Sequence, residues 1–152
     1  MVDFVRRPRH LIIGAIALVL IAGLGAAWWF ESRAPASDYA FKVMRGDRVL
    51  ASYDVAQVKA IGSKQIMLQG KVQEGASLLA VLEHAGAGTF TTVTIVGANV
   101  STGKADQIVL AACDIGPDTV LDPAPKRLTV KIAGPKIPRN SRIRDITEIV
   151  VK

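Results

Sequence analysis

The chain has 152 residues, a formal net charge of +6 and 50% hydrophobic residues. That length allows one compact domain, and a single cysteine excludes both an intramolecular disulfide and a multi-cysteine metal site. Aromatic residues make up only 5%, too few to build stacking platforms, and the basic excess is too modest to call for nucleic acid.

The chain opens with Arg6, Arg7, Arg9 and His10, then runs from Leu11 to Phe30 (LIIGAIALVLIAGLGAAWWF) without a charge. As a helix rising about 1.5 Å per residue, this run spans roughly 30 Å, the hydrocarbon thickness of a bilayer, and satisfies its own backbone hydrogen bonds. The pattern predicts a single transmembrane helix over 11–30. The basic excess ahead of it places residues 1–10 in the cytoplasm. Arg6, Arg7 and Arg9 are expected at one membrane interface, Trp28 and Trp29 at the other. Ala34-Pro35-Ala36 resembles a signal cleavage site. Signal cores are about 7–15 apolar residues, so the length of this run favours a retained anchor over cleavage after Ala36. Residues 31–37 read as a polar linker and 38–152 as an extracytoplasmic domain. The expected location is the cell membrane, and the expected partner is a membrane protein or complex.

In the domain, Tyr39 to Arg45 alternates apolar and polar, Gly46-Asp47 forms a turn, and Arg48 to Tyr53 returns. This predicts an opening hairpin. Asp54 is placed to cap a short helix over Val55 to Ala60, which Gly62 ends. Lys64 to Val72 reads as one strand, and Gly75 starts a new unit. Ser77 to Ala85 carries Leu78, Leu79, Val81 and Leu82 on one helical face, ended by Gly86 and Gly88. Thr91 to Gly97 is rich in β-branched residues and predicts a strand. Asn99 to Ala105 reads as a loop, and Ile108 to Cys113 as strand or helix. Asp114 to Pro125, with its prolines and acids, reads as loop. Arg127 to Ala133 alternates, Gly134 to Asn140 breaks the pattern, and Ser141 to Lys152 ends in a strand. The expectation is a small mixed α+β domain of five to seven short strands and two short helices.

Chemical motifs are sparse. Asp114, Asp118 and Asp122 lack the central Gly and closing Glu of an EF-hand, so they read as capping and solvated acids. His84 comes without a Gly-x-Ser-x-Gly nucleophile motif and reads as a partner for the last carbonyls of its helix. Gly86-Ala87-Gly88 follows a helix instead of opening one, which is the wrong order for cradling a phosphate. Cys113 ends an apolar run and reads as a small buried hydrophobe. No catalytic or metal-binding residue is expected. The feature that stands out is basic: Lys136, Arg139, Arg142 and Arg144 fall within nine residues. Arg142 and Arg144 are two apart and share a face on a strand, where they can meet an acidic partner, a phosphate or anionic headgroups.

From about Val49 onward the order of elements resembles the molybdopterin-binding domain of sulfite-oxidase-like oxidoreductases. The similar segments are Leu50 to Lys59 (LASYDVAQVK), Glu74 to Gly86 (EGASLLAVLEHAG), Thr92 to Ala98 (TVTIVGA), Lys126 to Val130 (KRLTV) and Ile143 to Val151 (IRDITEIVV). The family places a molybdenum-ligating cysteine ahead of the helix. Here Ile66 to Glu74 fills that place with no cysteine, and Cys113 comes well after the helix. The resemblance therefore implies a shortened fold of this kind and carries over no catalytic residue and no cofactor. The expected function is a non-catalytic, membrane-anchored accessory module that binds a partner through Lys136, Arg139, Arg142 and Arg144. The alternatives are a molybdopterin-dependent oxidoreductase subunit and a β-grasp-like ligand-binding module.

Overall fold

Alternating apolar residues open the domain as expected: β1 (Phe41–Arg45) turns at Gly46, φ +58°, into β2 (Arg48–Tyr53). The computed structural model describes residues 38–124, 126 and 128–152. The expected membrane helix, its flanks and the interface residues Arg6, Arg7, Arg9, Trp28 and Trp29 lie outside the described residues. Among the described residues no helix is long and apolar enough to cross a membrane.

Asp54 accepts a hydrogen bond from Gln57 N–H at 2.7 Å, and the Gln57 side chain accepts from Asp54 N–H at 2.9 Å. This reciprocal cap starts α1 (Val55–Ile61). The next segment departs from expectation. Lys64 to Val72 is not one strand: β3 (Lys64–Leu68) and β4 (Lys71–Ser77) form a hairpin around Gln69 and Gly70, both at positive φ. Two successive left-handed residues are what a tight hairpin turn requires, and a Gly at the second makes it possible. Gly75 does not start a new unit; it lies inside β4. α2 (Leu78–His84) follows directly.

β5 (Thr92–Asn99) pairs with β6 (Ala105–Ala111), so the ambiguous run from Ile108 is strand as far as Ala111 and a 3₁₀ turn at Ala112 and Cys113. Residues 114–125 are not all loop, because Val120–Ala124 form β7 between β4 and β8 (Thr129–Ala133). Pro123 fits there because β7 bonds β4 only through Leu121 and Val120, so the missing N–H of Pro123 breaks no ladder. β9 (Ile143–Val151) closes the chain. Among the described residues there are nine strands and two α-helices. The two strands beyond expectation, β4 and β7, were hidden by a turn inside an alternating run and by a proline.

The strands form a five-stranded mixed sheet, β2-β1-β9-β5-β6, and an antiparallel four-stranded sheet, β3-β4-β7-β8. The last strand is central: β9 runs parallel to β1 and antiparallel to β5. Its pairing with β5 slips between Val96 and Ala98, where Ala98 meets Arg144 and Val96 meets Glu148. Asp145 takes φ +49° in this bulge. The bulge brings Ile143, Ile146 and Ile149, spaced three apart, all into full burial. One apolar core joins Phe41, Ile95 and Ile149 of the first sheet to Leu121 and Ile132 of the second and to Val58, Leu78 and Val81 of the helices.

Candidate functional site

The basic segment lies where β5, β6 and β9 meet. Asn99 ends β5 with a buried side chain. Its Oδ1 accepts from Ser101 N–H at 2.8 Å and Thr102 N–H at 3.2 Å, and its Nδ2 donates to Asn140 O and Asp106 Oδ2, both at 2.9 Å. Val100 N–H donates to Arg142 O at 2.9 Å. The 99–104 loop thus holds the backbone that carries the arginines. The hydrogen bonds from Asn99 and Gln107 N–H hold the Asp106 carboxyl below its ordinary pKa.

Lys136 and Arg139 are exposed, and Arg142 and Arg144 are half-buried on either side of fully buried Ile143. Arg142 and Arg144 therefore share a side, as their spacing predicts. Arg142 precedes β9 and Arg144 lies within it. Burial and the neighbouring Arg139 push the Arg142 guanidinium below its ordinary pKa, in that order of effect. The Nε atoms of Arg142 and Arg144 are buried with no hydrogen-bond partner among the described residues. Arg144 Nε faces Asp145 Oδ2 at 3.7 Å, too far for a hydrogen bond. Asp145 itself accepts from Thr129 Oγ1 at 2.7 Å.

A second concave region was not legible in the sequence. Lys59 and Gly62 at the end of α1, Glu74 on β4, Asp122 and Pro123 on β7, and Lys126 line a cleft of about 870 Å³. Ser63 Oγ at 2.7 Å and Gln65 Nε2 at 3.0 Å donate to Glu74 and hold its carboxyl below the ordinary value. Asp122 goes the other way. Burial raises its pKa most, and its pairing with Lys131 at 3.1 Å only partly offsets this.

The remaining candidates disperse. Asp118 pairs with Lys64 at 2.6 Å, while Asp122 faces Lys131, so the three loop acids do not converge. Among the described residues no three His, Cys, Asp or Glu side chains group as metal ligands. His84 does not bond its helix end; its Nδ1 lies 2.8 Å from the Tyr53 hydroxyl. Gly86-Ala87-Gly88 forms a bend whose Ala87 carbonyl accepts from Arg45, as does Thr89 O at 2.7 Å. Cys113 is exposed, contrary to the expectation of burial. It falls on a single 3₁₀ turn after β6, where Ile115 instead fills the core. Ahead of α2, Ile66 to Glu74 lies in the β3–β4 hairpin and contains no cysteine.

No protein family, curated protein or solved structure matches the chain.

Proposed function

We propose that the chain is a membrane-anchored, extracytoplasmic accessory module, not itself a catalyst, that binds an acidic surface of a membrane partner through Lys136, Arg139, Arg142 and Arg144. The observation that carries this reading is geometric: the Nε atoms of Arg142 and Arg144 are buried with no hydrogen-bond partner among the described residues. Donors that are desolvated and unpartnered cost free energy, and a carboxylate on a partner supplies the acceptors that guanidinium N–H groups require. The anchor rests on the uncharged run over residues 11–30.

The test is co-purification of the full chain from membranes in mild detergent. Arg142→Ala/Arg144→Ala is expected to lower partner recovery by about tenfold or more, since each charged hydrogen bond lost is worth roughly 1.5–3 kcal/mol. Unchanged recovery from a variant with unchanged thermal melting overturns the assignment of this surface. Molybdenum bound at about one per purified chain would instead favour the oxidoreductase-subunit alternative.

The β-grasp-like reading has its own support. The first hairpin is followed by a helix, and the last strand enters the sheet centre parallel to the first, in the order β2-β1-β9-β5-β6. On this reading the module still binds and does not catalyse, and its occupant is a ligand instead of a protein.

A further inference from the structure

The cleft between α1, β4 and β7 arises from a fork in the second sheet. At its apex the strands nearly touch: a Cβ on Gly75 would lie 2.0 Å from Leu121 O. Pairing stops at Ala76↔Leu121. Beyond it Pro123 has no N–H with which to continue the ladder to β4. Backbone groups of β4 are already taken by side chains of β4 and β7. Gln73 Nε2 donates to Val72 O at 3.1 Å, and the Asp122 carboxylate accepts from Glu74 N–H. An added strand therefore finds few free backbone groups there. What the fork offers is an apolar floor of Val72, 56% exposed, with Pro123 and Ala124, under a rim of lysines.

The charges on the rim are unequal. Asp122 is taken by Lys131, and Glu74 by Ser63 and Gln65. Lys59 and Lys126 make no ion pair among the described residues and face the same cleft. Among the described residues no arginine lines it. A planar carboxylate is best gripped by the rigid fork of an arginine, whereas lysine ammoniums act as point charges suited to a tetrahedral phosphate.

We propose that this cleft binds a phosphate monoester, its phosphate held by Lys59 and Lys126 and its apolar body lying on Val72, Pro123 and Ala124. The site is separate from the basic segment and stands whether or not that segment binds a protein. The ester is either a free small molecule or a lipid headgroup, and one titration distinguishes the two. Phenyl phosphate, phenylacetate and dihexanoyl phosphatidic acid are each added to the full-length chain in detergent micelles, followed by the amide resonances of Gly62, Gly75 and Ala124. Phenyl phosphate is expected to move these resonances saturably and to bind more tightly than phenylacetate. Lys59→Gln and Lys126→Gln are each expected to weaken binding about tenfold, while Lys104→Gln, outside the cleft, leaves it unchanged. Tighter binding of the short phosphatidic acid than of phenyl phosphate assigns the site to a headgroup, and the reverse assigns it to a free ester. No saturable change with either phosphate up to about 10 mM, or equal change in wild type and both lysine variants, overturns the proposal.

Discussion

Tyr39 shows how much one side chain outside any strand can hold. Its hydroxyl donates to Ile146 O at 2.7 Å, and its oxygen accepts from Val130 N–H, so it ties β9 to β8 across the two sheets. Burial first, and the charge of Asp145 to a lesser degree, push its pKa up to about 12. Between pH 10 and 12 the unfolded chain releases this proton while the folded chain keeps it, so stability falls as pH rises through that window and is unaffected by this group below it. The loss is on the order of 1–2 kcal/mol, discounted for the solvent that still reaches the ring. Urea unfolding at intervals across this range checks it. Tyr39→Phe is expected to lower stability at neutral pH and to flatten the alkaline decline. The Tyr53 hydroxyl, raised by burial, leaves a smaller residual slope of the same sign. The alternation in Tyr39 to Arg45 predicted which face Tyr39 would take. Its two partners, 91 and 107 positions away, left no local trace.

Among the elements, the β3–β4 hairpin and the fork beside it decide where the cleft can form. A side chain at Gly75 would collide with backbone, the least forgiving kind of neighbour. Gly75→Ala is expected to cost about 2–4 kcal/mol, read from the urea midpoint, and to perturb the lining of the cleft. A like-for-like comparison is Gly46→Ala, where nothing lies within 4 Å of the added methyl and only the positive φ is penalised. Helix α1 was fully legible, because a cap, a short apolar period and a terminating glycine are all local. β7 was not, because a strand containing proline and two flanking prolines carries the signature of a loop. Only the pairing with β8 on one side, and release from β4 on the other, makes Pro123 tolerable.

At the scale of the whole molecule, placement outside the cytoplasm is open to direct test, because Cys113 is exposed and is the lone cysteine of the chain. A membrane-impermeant thiol reagent applied to intact cells, with any outer barrier permeabilised, is expected to label the native protein at this position. Labelling only after lysis of the inner membrane, with Cys113→Ser as the blank, would reverse the proposed orientation. Composition and patterning alone determined that the chain carries one uncharged run of bilayer length and one α+β domain. They also picked out the short helices and the basic segment, because these depend on contacts within a few residues. The tertiary structure alone decided that the last strand enters the middle of the first sheet. It likewise placed Cys113 at the surface, let Asn99 hold the segment bearing the arginines, and brought Lys59, Glu74, Asp122 and Lys126 around one cleft. Those arrangements join residues tens of positions apart, and the free energy that selects them comes from burying both sheets and both helices in one core, a quantity no local stretch of sequence contains.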